Sequence, residues 1–276
     1  MRPRGHDRES SCGVPFPGRK LPREQWSRTR VGLRGEGPFD WAAAFGREAP
    51  RVLDLGCGNG RFVVGSALAR PGMDHLGIDL VPPAVRFASL RAGQRGLANA
   101  KFGWGDATAF LQERVAPGSL DEVHLYHPQP YYDAGRHVRR QLTPAVLQAV
   151  HRALRPGGLF VLQTDNPAYA GYAREVLPSL FAVREHPAPW PDAPRGRTLR
   201  EIVARAQGLS IVRLLATPLA LAPGEVDARA AALPEPTFDA QQGRPPVRRP
   251  RRADGLRPSD GSRHADGRRG PRPPPR

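Results

Sequence analysis

The chain has 276 residues, 39% of them hydrophobic, and its formal net charge is +16 at pH 7. Lys20 and Lys101 are its only lysines, and this arginine-rich balance favours a polyanionic partner such as RNA, although an arginine-biased coding sequence accounts for it about equally well. Two cysteines exclude a disulfide framework or a four-ligand zinc site, and no apolar run is long enough to span a membrane, so we expect a soluble, cytoplasmic protein without a metal.

The chain divides into three predicted regions. Residues 1–39 are rich in Arg, Gly and Pro, so we expect a poorly ordered basic arm. Residues 40–220 alternate short apolar runs with helical stretches, which predicts an α/β domain with a parallel sheet covered by helices on both faces. The predicted strands are 51–55, 75–80, 99–104, 120–126, 158–164 and 209–216, and the predicted helices are 61–70, 82–95, 107–114, 142–154, 167–180 and 198–207.

The last region, residues 221–276, is predicted to be a disordered Arg/Pro-rich tail. From residue 241 onward it contains almost no large apolar side chain, and arginines far outnumber aspartates. Such a segment cannot bury enough surface to fold. It either holds RNA loosely through its charge or is a solvated extension without a role, and the second is slightly favoured.

The segment RVLDLGCGNG at 51–60 is typical of a buried strand that runs into a glycine-rich turn and opens a helix. Gly56, Gly58 and Gly60 let the backbone turn sharply and bring its N–H groups close to a ligand. The spacing Gly-x-Gly-x-Gly differs from the dinucleotide fingerprint Gly-x-Gly-x-x-Gly. With Asp54 on the strand, the pattern is typical of a binding site for S-adenosylmethionine.

Two further acids follow the next two predicted strands. Asp79 ends GIDL, where a carboxylate can accept both ribose hydroxyls, and Asp106 lies in GDA, where a carboxylate commonly meets the adenine amine. Each acid alone is weak evidence. Because the carboxyl ends of parallel strands meet at one edge of a sheet, we expect Asp54, Asp79 and Asp106 to form one cofactor site.

The predicted fourth strand ends in LYHPQPYY at 125–132. Its prolines have no N–H group, so the chain must leave the sheet here, either to present an aromatic ring for base stacking or simply as a stiff turn. A basic cluster follows immediately, and it suits an RNA backbone better than a small neutral substrate. The candidate phosphate-binding residues of this cluster are Arg136, His137, Arg139 and Arg140.

Two sites after the fifth predicted strand are ambiguous. Asp165 can cap the next helix, or its two oxygens can accept the N1–H and the exocyclic amine of a guanine. Thr198 and Glu201 have the spacing of a capping box, and that structural role is favoured over substrate binding on the spacing alone.

These motifs in this order resemble the bacterial tRNA (guanine-N7)-methyltransferases of the TrmB family, which modify the variable loop. The resemblance covers about residues 48–215 and rests on DLGCGNG, GIDL, GDA, SLDEVHLYHPQPYYDAGRHVRRQL, LRPGGLFVLQTDNPAYA and GRTLREIVARAQG. It implies a doubly wound, mostly parallel seven-stranded sheet of the class I methyltransferase type. It also implies S-adenosylmethionine as the cofactor and tRNA as the partner of a monomer or homodimer.

By this resemblance Asp54, Asp79 and Asp106 contact the cofactor, and Asp165, Thr198 and Glu201 hold the guanosine. The family sequence Pro-Asp-Pro-Trp is replaced here, with Gln129 in the place of the aspartate, so Gln129 and Asp165 are the predicted catalytic residues. Two alternatives remain. One is methylation of an exocyclic amine of another base, because the segment HPQPY is loosely similar to Asn/Asp-Pro-Pro-Tyr, and the other is an RNA-binding homologue with weakened catalysis.

Overall fold

The structure of the chain, a computed structural model, describes residues 21–243, and its centre is one sheet of eight strands. The strands, in chain order, are β1 (Arg30–Val31), β2 (Arg51–Leu55), β3 (Asp74–Asp79), β4 (Ala100–Trp104), β5 (Leu120–Tyr126), β6 (Leu154–Thr164), β7 (Phe181–Glu185) and β8 (Val212–Pro218). Their order across the sheet is β1-β4-β3-β2-β5-β6-β8-β7. The pairs from β1 to β6 are parallel, and β8 runs antiparallel to both β6 and β7.

Helices connect the strands and cover the sheet. In the described part of the chain they are α1 (Arg23–Trp26), α2 (Trp41–Phe45), α3 (Arg61–Ala69), α4 (Pro82–Gln94), α5 (Ala107–Arg114), α6 (Pro144–Ala153), α7 (Pro167–Val176), α8 (Leu199–Ala206) and α9 (Pro223–Ala231). None of the helices between residues 21 and 243 combines the length and the apolar character that a membrane crossing requires.

The strand order reverses between β2 and β5. From β2 the chain continues to β3 and β4 on one side of this point, and β5 and β6 lie on the other side. In sheets of this kind ligands bind outside the carboxyl ends of the strands at such a switch point. The predicted fold class is therefore confirmed. The sheet has eight strands rather than seven, because the two-residue strand β1 adds to its edge beside β4.

The central strands are apolar on both of their faces because helices cover both sides of the sheet. Leu53 and Leu76 lie in one buried cluster, and Val52 and Phe102 lie in a second one on the opposite side. All four side chains are almost completely buried. This burial holds the strand ends, and the loops that follow them, in a rigid frame.

Several predicted boundaries were wrong by a few residues, and one strand was not predicted. Helix α7 stops at Val176 instead of 180, because Pro178 lacks the N–H group needed to continue the helix. Strand β6 begins at Leu154, four residues before the predicted start, where a register shift relative to β5 adds an irregular extension. Strand β7, which pairs with β8 at the sheet edge, was not predicted.

Structure extends beyond the predicted domain limits of 40 and 220. On the N-terminal side, Trp26 is buried and Thr29 Oγ1 donates to the carbonyl of Ser89 on α4 at 2.9 Å. On the C-terminal side, α9 packs against α6 with Val226 and Ala230 buried in the main core. The predictions of a basic arm at 21–39 and a disordered tail at 221–243 were therefore wrong for these residues, because scattered apolar side chains find partners on the sheet's helices. The remaining parts of both predictions lie outside the described residues.

Candidate active site

The glycine turn after β2 has the backbone conformation that its sequence requires. Gly56, Gly58 and Gly60 have φ values of 81°, 52° and 73°, in the left-handed region that favours glycine. At Gly60 a Cβ atom would lie 2.6 Å from the Cβ of Ala88, so the close approach of α3 to α4 also excludes a side chain. At Gly58 nothing of the described chain lies within 4 Å of such an atom, so this glycine faces open space.

Asp79, at the end of β3, connects this turn to the next loop. Its Oδ2 accepts a hydrogen bond from the N–H of Gly58 at 2.7 Å, and its Oδ1 accepts one from the N–H of Val81 at 2.8 Å. These two bonds hold the carboxylate across the carboxyl ends of β2 and β3. Each oxygen keeps a further lone pair, so the carboxylate can still accept two hydroxyl donors.

Asp106 follows β4 and caps helix α5. Its Oδ1 accepts from the N–H groups of Thr108 at 2.8 Å and Ala109 at 3.2 Å. Both bonds use the same oxygen, which within the described part of the chain leaves Oδ2 for a ligand. The cap fixes the orientation of the side chain, and it does not prevent a binding role.

Asp54, on β2, is the most unusual of the three acids. It is buried, with 2% of its surface exposed, and its Oδ1 has no hydrogen-bond partner within residues 21–243. Burial, with a smaller contribution from the nearby Asp79, raises the pKa of the Asp54 carboxyl to about 8. An unpartnered buried carboxylate oxygen is costly, and a cationic ligand group beside it removes that cost.

A cleft of about 620 Å³ opens beside Asp106. Its lining residues include Leu33, Leu80, Trp104, Asp106 and Phe110. Trp104 is 55% exposed, yet its indole Nε1 donates to the carbonyl of Leu80 at 3.1 Å, which fixes the ring. An exposed aromatic ring with a fixed orientation, next to Asp106, suits a flat nucleobase.

The chain leaves β5 through a strained loop. His127 has a φ of 49° and Tyr131 a φ of 45°, which are uncommon for residues other than glycine. Between them Pro128 is buried, and Gln129 is exposed at the loop tip. The loop thus turns the backbone sharply out of the sheet, as the prolines predicted.

Asp165, directly after β6, faces the same loop. Its Oδ1 is 2.8 Å from Nδ1 of His127 and 3.2 Å from Nε of Arg200, and its Oδ2 accepts from Nη2 of Arg200. Burial on its own raises the pKa of this carboxyl, but the hydrogen bonds from His127 and Arg200 lower the pKa to about 2. Asp165 is therefore ionised at neutral pH. The predicted cap of the next helix is instead Asn166, whose Oδ1 accepts from the N–H of Tyr169.

The residues of the predicted basic cluster have different surroundings. Arg136 and Arg139 are exposed, and His137 is half-buried, on the short turn Ala134–Arg139. Arg140 is buried, and its guanidinium donates to four backbone carbonyls, those of Pro130, Tyr131, Pro236 and Phe238. Arg140 is thus a structural clamp rather than a free phosphate ligand.

Thr198 and Glu201 have structural roles, but they form only half of the predicted capping box, because the Glu201 side chain accepts from the N–H of Arg197 and not from that of Thr198. Thr198 caps α8, since its Oγ1 accepts from the N–H of Glu201 at 3.0 Å. Glu201 is fully buried, and its two oxygens accept from Nη2 of Arg213 at 2.6 Å and from the N–H of Arg197 at 2.8 Å. With both oxygens occupied inside the protein, Glu201 holds the start of α8 in place beside Asp165.

The carboxyl ends of β2, β3, β4, β5 and β6 form one continuous edge, and it brings most of the predicted site residues together. Two residues of this edge, His127 and Arg200, were not predicted as site residues. Their contacts join segments 35 to 38 positions apart in the chain. The sequence pointed to these two residues only through their neighbours, because His127 directly precedes Pro128 and Arg200 directly precedes Glu201.

Comparisons with known proteins agree with this geometry. A protein family described as "Putative methyltransferase" matches residues 48–204 of the chain. A protein of Burkholderia vietnamiensis (strain G4 / LMG 22486), named tRNA (guanine-N(7)-)-methyltransferase, is 38% identical over 195 residues, which cover 68% of this chain and 76% of that protein. A protein of the same name from Nitrosococcus oceani is 38% identical over 152 residues, which cover 55% of this chain and 64% of that protein.

Among solved structures, the chain matches the 16S rRNA methyltransferase KamB. Its sequence is 18% identical to this chain, and the alignment covers 63% of this chain and 89% of KamB with a TM-score of 0.48.

Proposed function

Because the chain belongs to the bacterial tRNA (guanine-N7)-methyltransferase family, we propose that it transfers a methyl group from S-adenosylmethionine to N7 of a guanosine in tRNA. The nucleotide is the variable-loop guanosine that the sequence resemblance implies, and the protein acts in the cytoplasm. The observation that carries the proposal is the alignment of Asp54, Asp79 and Asp106 at the ends of three adjacent strands, with Asp165 on the same edge.

The residues of this edge fit S-adenosylmethionine. The unpartnered Oδ1 of Asp54 needs a cationic or donating group, which the amino acid part of the cofactor provides. Gly58 leaves open space beside it for close approach. Asp79 binds the ribose hydroxyls, and Asp106 with Trp104 holds the adenine in the adjoining cleft.

The chemistry requires little beyond positioning. The cofactor supplies a methyl group on a sulfonium, and guanine N7 already carries a lone pair in the plane of the ring. No general base is needed, so the orientation of the base provides most of the rate. The methylated guanine is cationic, and the ionised Asp165 stabilises that developing charge while it accepts hydrogen bonds from the base edge.

The exposed side chains beside the strained loop contact the RNA. Arg136 and Arg139 are exposed and bind phosphates, with His137 beside them, and Arg136 exchanges its exposed ion pair with Asp133 for a phosphate. Gln129, at the exposed loop tip, contacts the substrate through its amide in the position of the family aspartate. Arg140, Thr198 and Glu201 act indirectly, because they hold the loop and helix α8 that frame the base.

Methylation of bulk tRNA tests the proposal. The purified protein is incubated with labelled methyl donor and unmodified tRNA, and the nucleosides are separated after digestion. N7-methylguanosine is the expected product. Label in an exocyclic amine would support the alternative reaction, and cofactor binding without any transfer would support the weakened RNA-binding homologue.

A further inference from the structure

Arg200 contacts the carboxylate that we assign to the guanine. Its Nε donates to Oδ1 of Asp165 at 3.2 Å and its Nη2 donates to Oδ2, so the guanidinium forms a two-donor fork on one carboxylate. We propose that this fork is a placeholder for the guanine edge, which substrate displaces when it binds. The inference rests on the proposed function, because it concerns the same carboxylate.

The two donor sets have the same geometry, although the guanidinium is charged and the guanine edge is neutral. Guanine presents N1–H and one N–H of its exocyclic amine side by side on one edge, and a guanidinium presents two N–H groups in the same parallel arrangement. A carboxylate that accepts one pair is suited to accept the other. Adenine presents one donor and one acceptor on the corresponding edge, so it cannot replace the fork.

The acceptor stays in place when the fork leaves, because a chain of directed hydrogen bonds holds it. The indole of Trp190 can only donate, and its Nε1 contacts Oε1 of Gln163 at 2.6 Å. The amide nitrogen of Gln163 therefore donates to Nε2 of His127 at 2.7 Å, which assigns the proton of the neutral ring to Nδ1. That Nδ1–H donates to Asp165 at 2.8 Å.

Burial separates the fixed partner from the exchangeable one. The side chain of His127 is 4% exposed and that of Asp165 is 10% exposed, whereas that of Arg200 is 40% exposed. Asp165 is the only hydrogen-bond partner of the Arg200 guanidinium within residues 21–243. Arg200 can therefore swing into solvent without breaking a core contact, and there its charge attracts the RNA phosphates.

Direct binding of guanosine tests the placeholder. Equilibrium dialysis compares the parent protein with Arg200→Met, which keeps an apolar stem and loses both donors. We expect Arg200→Met to bind guanosine about three- to tenfold more tightly, because no fork must be displaced. Adenosine should show no such gain. Arg184→Met, which removes an equal charge from the exposed edge strand β7, should leave guanosine binding unchanged.

Arg200→Lys separates the fork from the charge. Lysine keeps the positive charge but cannot make two parallel hydrogen bonds, so its guanosine affinity should lie between those of the parent and Arg200→Met. Equal or weaker guanosine binding by Arg200→Met, in a variant whose melting temperature matches the parent, would overturn the inference. The proposed function fails separately, if the parent protein makes no N7-methylguanosine in tRNA.

Discussion

Arg140 packs its guanidinium 3.8 Å from the ring centroid of Phe238 and donates to the carbonyls of Pro236 and Phe238. The same side chain donates to Pro130 and Tyr131 in the strained loop after β5. One buried arginine thus connects the strained loop after β5 to the segment that follows α9. The C-terminal segment of the described chain therefore helps to hold that loop in place.

We expect Arg140→Ala to destabilise the protein by about 2–4 kcal/mol, because it leaves four backbone carbonyls without their donor. Arg140→Lys should recover only part of this loss, since one ammonium cannot reach all four. Urea unfolding measures the stability, and limited proteolysis should show faster cleavage within residues 232–243. Arg139→Ala is the control, because Arg139 is the neighbouring arginine and its side chain is exposed. Equal stability of the two alanine variants would contradict the clamp.

Cofactor affinity should rise with pH because of Asp54. The pKa of its carboxyl is raised from the ordinary 3.8 to about 8 in the folded protein without ligand. The protonated acid therefore stabilises the fold at low pH, and this contribution is lost as pH rises from 3.8 to about 8. A cationic ligand group prefers the ionised acid. Calorimetry from about pH 6 to about pH 8 should therefore show tighter binding of S-adenosylmethionine at the higher pH.

Asp54→Asn should weaken cofactor binding by about tenfold or more and remove most of this pH dependence. Asp227→Asn changes an exposed acid on α9 and should retain both the affinity and its rise. A pH dependence that persists unchanged in Asp54→Asn would assign it to another group.

Asp165→Asn should lower kcat for tRNA methylation by about 10²–10³, because the amide carries no charge to stabilise the cationic product and presents only one acceptor atom. Cofactor affinity should stay near the parent value, since Asp165 follows β6 rather than the cofactor strands. Steady-state kinetics and calorimetry measure the two effects. Asp227→Asn, on the exposed face of α9, should leave kcat close to the parent value; transfer at the parent rate by Asp165→Asn would exclude the assigned role.

Arg136→Ala and Arg139→Ala should each raise KM for tRNA without a comparable fall in kcat, because phosphate contacts position the RNA and do not take part in transfer. Each removed contact should reduce the slope of log affinity against log salt by about one. Filter binding at several salt concentrations measures that slope. Arg184→Ala removes the same charge far from the loop along the sheet order, and an equal effect of this variant would indicate only a general dependence on charge.

The contribution of two buried histidines to the free energy of unfolding should fall in mild acid, with a sign opposite to the contribution of Asp54 in the same pH range. His75 and His124 are completely buried, and burial lowers the pKa of each imidazole to about 4. Because the folded pKa lies below the ordinary 6.5, the stabilisation is complete above about pH 6.5 and is lost as pH falls towards 4. Glu122 contacts His124 and Arg70, which keep its pKa below the usual range, so its contribution is lost at lower pH still.

Urea unfolding between about pH 7 and about pH 4 measures this loss as the difference between the parent protein and a histidine variant, which we expect to reach a few kcal/mol. His124→Gln should flatten the curve in this window, since glutamine can still contact Glu122 but binds no proton. His186, which is half-buried beside Trp190, offers a comparison in His186→Gln. An unchanged slope in His124→Gln would contradict the assignment.

Features that depend on neighbouring residues followed from the sequence, and features that depend on long-range contacts did not. The glycine turn and the three acids were predicted correctly as features of strand ends, because strand periodicity and glycine spacing are local. The cap at Thr198 was likewise predicted, since the residues that form it are three positions apart. The phosphate role of Arg140 could not be judged from its neighbours, because two of its partners lie 96 and 98 positions away.

By itself the sequence determined the parallel sheet, the edge on which its loops meet, and the acids at the ends of its strands, because apolar periodicity and turn chemistry act over a few residues. Only the tertiary structure decided which polar side chains meet at that edge. His127 and Arg200 become partners of Asp165 through packing of distant segments, and Glu201 becomes a buried anchor for Arg197 and Arg213. The fold also sets the pKa values of the site carboxyl groups, because each pKa depends on burial from water and on the charged and hydrogen-bonding groups nearby.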